Sequence, residues 1–289
     1  ALFLWPLFFH RLKKFFPDIG HKIYLLSNFK DIAFEHDLEI NLIKTGKDIS
    51  WSYNLKILLT SLDEENILFL VDDGLLSNHV NKSKFENLYK LFLKNDMNYL
   101  NLKSSLFVNK NFSGLYRELP AGTNYRSAIS PSFWKKNIMI ELLKDEENAW
   151  QFEIFGSQRS DAYEKFYSIN DPLFEFDHLV VKGKIDRAIY KQLILNGEHS
   201  DFDLPIMSYL EYLADRLRYF RSMLIKKNFV PISLVSSYRR LKYKKLVFFI
   251  HIVIIKCISN LKNFRFSYGK LYIFRSNYIC NWVHLCVLH

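Results

Sequence analysis

Five consecutive apolar residues, Ile67 to Val71, stand directly before two adjacent carboxylates, Asp72 and Asp73, in the stretch NILFLVDDGLLSN. An apolar run of that length, closed by a turn signal, predicts a strand buried on both faces, as in the middle of a parallel sheet. The residues before it, DISWSYNLKILLTSLDEE, set Trp51, Leu55, Leu58, Leu59 and Leu62 on one helical face, with Asp48 or Ser50 placed to cap it. A helix followed at once by a buried strand is the repeating unit of an α/β chain.

The rest of the chain extends that pattern. Trp5, Phe8, Phe9, Leu12, Phe15 and Phe16 recur at helical spacing and predict an amphipathic helix that Pro17 and Gly20 end. HKIYLLSN reads as a short strand, Lys82–Asn95 as a helix, and MNYLNL as another strand. In SPSFWKKNIMIELLKDEENAW the positions of Phe133, Trp134, Ile138, Leu142 and Leu143 predict one helix. HLVVKGKI is a short strand candidate, and a basic helix is expected near Ser208–Lys226. The expected fold class is α/β, with a mostly parallel Rossmann-like central sheet flanked by helices. In such sheets ligands bind beyond the carboxyl ends of the strands, which is where Asp72 and Asp73 stand.

Charge divides the chain at a different place from hydrophobicity. The net charge is +10, yet Asp215 is the last acidic residue, and 15 of the 40 Lys and Arg residues follow it. The remaining 25 basic residues face all 30 acidic ones, so residues 1–215 form a mildly acidic α/β domain and residues 216–289 a basic, aromatic tail. All three cysteines, Cys257, Cys280 and Cys286, lie in that tail without CxxC spacing, which fits a reducing, cytoplasmic setting. No cleavable leader is read at the start, which lacks a basic region before Ala1–Phe9. The absent initiator Met points to a fragment or a processed form.

Two neighbouring carboxylates raise one another's pKa unless a positive charge sits with them. Mg²⁺ or Mn²⁺ resolves the conflict and is commonly held by one or two carboxylates plus substrate phosphates, so a nucleoside diphosphate site is one reading. A solvated turn with two surface acids is the other. No G-x-S-x-G, P-loop or H-E-x-x-H pattern occurs. His178 in EFDHL reads as a core or edge residue rather than a ligand.

The segments LWPLFFHRLKKFFPDIGHKIYLLSN, GKDISWSYNLKILLTSLDEENILFLVDDGLL and SPSFWKKNIMIELLKDEENAWQFE, in that order, resemble bacterial glycosyltransferases of the GT-A fold that build lipopolysaccharide or capsule. The resemblance covers roughly Leu4 to Lys191. It implies a nucleotide-sugar donor, a glycan or lipid-linked glycan acceptor, and a divalent cation held with the donor diphosphate by Asp72 and Asp73, although the chain reads DDG rather than a full DxD. Family members open with a strand that binds the nucleotide base, and here the chain begins inside the first helix. Trp51 either packs on the sheet or lines the donor pocket.

An inverting transfer also needs a base for the acceptor hydroxyl, and Glu153 in NAWQFE, flanked by Trp150 and Phe152, is the candidate, or else a helix-end Glu beside core aromatics. Arg159 in GSQRSD suits a phosphate or a sugar carboxylate, or else pairs with Asp161. Arg126, in the loop ELPAGTNYRSAIS, is an acceptor-loop candidate together with Trp150, while Lys182 beside Gly183 either faces the diphosphate or is solvated.

In the tail, YRRLKYKKLVFFIHIVIIKC joins a basic cluster to an apolar run from Leu246 to Ile258 that is too short and too polar to be read as a membrane span. It suits peripheral contact with an anionic membrane, on the inner face for a cytoplasmic enzyme using lipid-linked acceptors. A frameshifted end or an ordinary basic subdomain gives the same composition. Three rival functions stay open: a sugar nucleotidyltransferase, a nucleic-acid-binding protein using the tail, and an inactive relative of the fold. The acidic body and the lack of a nucleic-acid motif weigh against the second.

Overall fold

The computed structural model describes residues 4–17, 20–34, 36, 38–72, 74–103, 114–198, 202–226 and 284–287. Asp73 and the apolar run Leu246–Ile258 lie outside the described residues. Two compact units are distinguished: one runs to Pro205 and takes in the strand at 284–287, and the other begins at Ile206, its described part being largely one helix.

The first unit opens with α1 (Trp5–Phe15), whose Trp5, Phe8, Phe9 and Leu12 are buried, as the periodicity predicts. Next come β1 (Ile23–Ser27), β2 (Ile40–Lys44) and α2 (Trp51–Ser61). Ser50, not Asp48, caps α2: its hydroxyl accepts from the Tyr53 amide at 3.0 Å, supplying one of the partners that the first helical turn lacks. Asp48 instead accepts from the Asn54 side chain. β3 (Asn66–Val71) is buried from Ile67 onward. It is followed by β4 (Gly74–Leu76), α3 (Lys82–Lys94), β5 (Tyr99–Asn101), β6 (Tyr116–Glu118), β7 (Ser132–Lys135) and α4 (Lys136–Leu142).

The segment expected as one helix through Phe133 and Trp134 is therefore a strand and then a short helix. β7 lies between β3 and β5, and its two adjacent aromatics, which point to opposite faces of the sheet, are both buried. Phe133 meets Phe85 and Phe92 of α3 on one face, while Trp134 meets Tyr99 and Phe166 on the other. Adjacent buried aromatics followed by a good helix former mimic a helical pattern, and only the neighbouring strands distinguish the two.

After α4 the chain forms a helical segment, α5 (Ala149–Gln151), a π-turn (Phe152–Gly156) and α6 (Ser157–Ser160). Then come β8 (Phe166–Ile169), β9 (Phe176–His178), β10 (Val180–Val181), β11 (Lys184–Ile185) and α7 (Arg187–Leu195). HLVVKGKI is thus not a single strand. Lys182 and Gly183 both have positive φ and turn β10 back on β11, the conformation a two-residue hairpin requires. In the second unit, α8 (Tyr209–Lys226) is the expected basic helix, and β12 (His284–Val287) returns to the first unit.

The main sheet has eight strands in the order β2, β1, β12, β3, β7, β5, β8, β6. The α/β class holds, with a mixed central sheet flanked by helices, compatible with a Rossmann-like arrangement. Only the β1–β2 and β5–β8 pairs are parallel; the other neighbouring pairs are antiparallel. The underlying direction is nevertheless shared. Since β12 opposes both β1 and β3, and β7 opposes both β3 and β5, the strands β2, β1, β3, β5 and β8 all run one way. Their carboxyl ends define one edge of the sheet.

Candidate functional site

β3 reaches that edge at Val71, and the chain turns at Asp72. Of the two readings of the acidic pair, a solvated turn with two surface acids does not hold for Asp72. It is 2% exposed, and its carboxylate accepts a hydrogen bond from the indole N–H of Trp5 at 3.1 Å. A carboxylate taken out of water needs donors to replace its hydration, and the first helix supplies one. Beyond the turn, β4 pairs with β9 so that Gly74 lies opposite His178. This places His178 at the edge of a two-stranded ribbon close in sequence register to the acidic turn.

Glu153 is brought to the same edge from a distant part of the chain. A reciprocal capping box between Asn148 and Gln151 starts the helical segment. The helix then widens into the π-turn, a local irregularity frequently found at functional sites. Phe152 points inward and packs against Trp51 with ring centroids 5.3 Å apart, so the Trp51 ring is core packing beneath the site. Gly156 leaves room for it, since a Cβ there would meet the Phe152 ring at 3.0 Å.

The Glu153 carboxylate accepts from the Ile129 backbone N–H at 2.9 Å. Ile129 lies in the loop entering β7, and Ser132 at the start of β7 pairs with Phe69 near the end of β3 and with Asn101 at the end of β5. Burial pushes the Tyr99 phenol of β5 well above its ordinary pKa, and the nearby Glu153 charge adds to the rise. The base candidate and the acidic turn therefore stand at the same end of the sheet.

Glu153 also lines a cleft of about 300 Å³ between the 122–125 loop and the helical segment, shared with Tyr125, Gln158 and Asp161. The sequence reading missed the last three as site residues. Tyr125 lies in the 122–125 loop and Gln158 and Asp161 in and after α6, stretches whose spacing carries no motif. Trp150 is 41% exposed, and Ile154 and Phe155 beside it are also open to solvent, so the helical segment presents an apolar flank.

The cationic candidates are placed otherwise. Arg159 does not pair with Asp161: it forms a two-pronged ion pair with Glu147 (2.7 and 2.5 Å) and donates twice to the Leu142 carbonyl. That fork fixes the helical segment to the end of α4. Asp161 accepts instead from the Gly122 amide. Arg126 lies in the expected loop but is turned inward, donating to the carbonyls of Leu119, Ser160 and Tyr163 with its guanidinium 4.4 Å from the Phe166 ring centroid. Burial lowers its pKa, while Asp161 and Glu118 oppose that shift. Replacing Arg126 with alanine strands three carbonyls, and unfolding in urea should show a loss of about 3 kcal/mol. Lys182 sits at the tip of the β10–β11 hairpin, partly exposed.

Among the described residues, no group of three His, Cys, Asp or Glu side chains converges on a point where it could hold a metal ion. The chain's own offer to a cation is the acidic turn, of which Asp72 is described. One or two carboxylates fit a Mg²⁺ or Mn²⁺ ion only when phosphates complete its shell.

No family model matches the chain, and no curated protein does. Among solved structures, residues 1–349 of TarS from S. aureus align over 47% of this chain and 43% of that one, at 12% identity and a TM-score of 0.35. The match thus spans less than half of that chain's length. The UTP-bound UGPase from Acinetobacter baumannii aligns over 65% of this chain and 67% of that one, at 8% identity and a TM-score of 0.35. Both likenesses are partial, and the functional reading rests on this chain's own residues.

Proposed function

We propose that this chain is a glycosyltransferase that moves a sugar from a nucleotide donor to a hydroxyl of a glycan or lipid-linked glycan, with inversion at the anomeric carbon. The observation that supports it most directly is the position of Glu153. A carboxylate anchored by a backbone amide at the same end of the sheet as the turn where β3 ends on acids supports a base for an acceptor hydroxyl, with the donor at that edge.

In this reading the donor diphosphate lies over the turn at Asp72 and Asp73. A divalent cation arriving with the donor would be held by the phosphates at the acidic turn, where the buried Asp72 keeps its bond to Trp5 and contributes charge rather than a ligand oxygen, and would neutralise charge that develops on the leaving group. Glu153 takes the proton of the acceptor hydroxyl as its oxygen forms the new bond to the anomeric carbon. The bond to the nucleoside diphosphate breaks on the opposite side and its electron pair leaves with that group, so the configuration inverts. The cleft below Glu153, with its carboxamides, carboxylates and Tyr125, suits the hydroxyls and ring face of an acceptor sugar. Trp150 flanks the acceptor side, whereas Arg126, Arg159 and Trp51 act by holding the loop, the helical segment and Phe152 in place.

A thermal-shift screen of the full chain against UDP-, GDP- and CMP-sugars, with and without Mn²⁺, tests the donor site. At about 100-fold saturation, binding to the native state alone adds about 2.7 kcal/mol, a rise in melting temperature of roughly 5 °C. One nucleotide class is expected to give that rise. Asp72→Asn, which keeps an acceptor for Trp5, and Asp73→Ala should each reduce it. A folded protein that no donor shifts would sink the reading.

A further inference from the structure

The cleft that Glu153 lines carries the opposite charge from the one its arginine-bearing neighbourhood suggests. Arg159 suits a phosphate or a sugar carboxylate by sequence, yet its guanidinium is taken up by Glu147 and the Leu142 carbonyl, and Arg126 is turned inward to three other carbonyls. Among the described residues, the lining of the cleft holds two carboxylates, Glu153 and Asp161, with the carboxamides of Asn124 and Gln158 and no Lys, Arg or His. The one cation that Asp161 senses is the buried Arg126, which lies outside the lining. One oxygen of Asp161 accepts from the Gly122 amide at 2.8 Å, and the other has no donor among the described residues. In the same loop Tyr125 is held at a φ of 56°, a left-handed conformation that a bulky residue adopts only where its surroundings impose it. Its ring, 42% exposed, forms part of the cleft.

Resting on the glycosyltransferase reading, we infer that this cleft selects its acceptor by charge. It takes a neutral or amino sugar and rejects one that bears a carboxylate or phosphate, with Asp161 as the selecting residue. Specificity needs a repulsive element as well as an attractive one. An anion entering between Glu153 and Asp161 meets like charge and finds no cationic donor in the lining. A sugar hydroxyl donates to the open oxygen of Asp161, and an amine there forms the stronger, charge-assisted bond. The carboxamides of Asn124 and Gln158 both donate and accept, so they hold a sugar without setting this preference. The apolar face of the sugar ring lies on Tyr125, whose exposed ring the loop presents at a fixed angle.

Saturation-transfer NMR titrations of the full chain with glucosamine, glucose and glucuronate, at about pH 6.5 so that the amine is charged, test the selection without any nucleotide sugar. Affinity is expected to fall in that order. Glucosamine and glucuronate should differ about tenfold at low salt, since one pairs with a carboxylate and the other is repelled by it. Asp161→Asn, which keeps an acceptor for the Gly122 amide, should shrink that spread to about threefold, the part that Glu153 supplies. Tyr125→Ala should weaken all three sugars about fivefold and leave their order unchanged, which places them in this cleft. The inference is overturned if glucuronate binds as well as glucose, if either variant leaves the series as in wild type, or if none of the three sugars binds. Donor-induced stabilisation does not involve Asp161. A failed sugar series beside an intact donor shift therefore removes the charge selection alone, whereas absence of the donor shift removes the transferase reading on which it rests.

Discussion

Arg11→Ala is expected to cost about 3–5 kcal/mol of folding stability, enough to unfold a marginal domain at ambient temperature. The guanidinium of Arg11 is buried between α1 and the β4–β9 ribbon. Its Nε donates to Glu198 at 2.7 Å, its Nη1 donates to the Leu76 carbonyl at 3.1 Å, and the same Nη1 stands 3.7 Å from Asp177. Lys14 reaches Glu198 from the solvent side at 2.6 Å. Removing Arg11 leaves the buried Glu198 with the partly exposed Lys14 and takes a cation from beside the buried Asp177, and the cost comes from that lost compensation more than from the lost bonds. Urea unfolding of Arg11→Ala, and of Arg11→Met, Glu198→Leu and Arg11→Met/Glu198→Leu as a closed cycle, checks the argument. The double variant should lose clearly less than the sum of the two single losses, because it removes a buried charge together with its counter-charge.

The same cluster ties stability to pH. Burial alone would raise the Glu198 carboxyl, but hydrogen bonds from Lys14 and Arg11, together with their charges, outweigh it and hold its pKa below 4.5. A carboxyl whose folded pKa is depressed contributes stability that is present above its unfolded value and is lost as pH falls through the folded one. Acid unfolding should therefore begin below about pH 4.5, and Glu198→Leu in the Arg11→Met background should flatten that limb.

Glu153→Gln is expected to lower the rate of transfer by roughly 10²–10⁴-fold, the range that positioned general-base catalysis supplies. The change is close to isosteric. The amide oxygen of glutamine still accepts from the Ile129 N–H, so the loop entering β7 keeps its anchor and the melting temperature should hardly move. A donor bound at the acidic turn is not touched by the substitution, so the donor-induced thermal shift should persist. That separates a catalytic defect from a binding defect: kcat falls while the response to donor stays. A variant that turns over at the wild-type rate would remove Glu153 from the chemistry and leave its bond to Ile129 as a purely structural tie. Product anomeric configuration, read by NMR against that of the donor, tests inversion in the same reactions.

The sequence reading went furthest where a single element speaks for itself. The buried strand Ile67–Val71, the helices around Trp51 and Lys82, and a cap at Asp48 or Ser50 follow from local periodicity and from the needs of a helix's first turn, the structure choosing Ser50. It failed where neighbours decide. Phe133 and Trp134 read as helical because two adjacent buried aromatics are ambiguous until strands on both sides are known. The parallel sheet was expected from alternation, yet β7 and β12 slip between strands that share a direction, and no local pattern records which strand a segment will lie beside.

The candidate residues divide along the same line. Glu153 was legible as a carboxylate between aromatics, but its anchor on Ile129 and its place at the edge of β3 depend on a ladder pairing residues more than sixty apart. Arg126 read as an acceptor-loop residue, and Arg159 as an anion binder or a partner of Asp161. The fold used their charge-assisted forks to satisfy backbone carbonyls and Glu147, because a buried carbonyl without a donor costs more than a surface arginine gains.

The sequence alone thus determined the types of the elements whose periodicity is unambiguous, the acidic turn after a central strand and the basic character of α8, since these follow from periodicity and charge within a few residues. Tertiary structure decided strand order, the inward turn of Asp72 toward Trp5, the assembly of the Glu153 cleft and which side of α8 faces solvent. Each of these depends on which distant surface a side chain is buried against, and burial is a property of the packed whole.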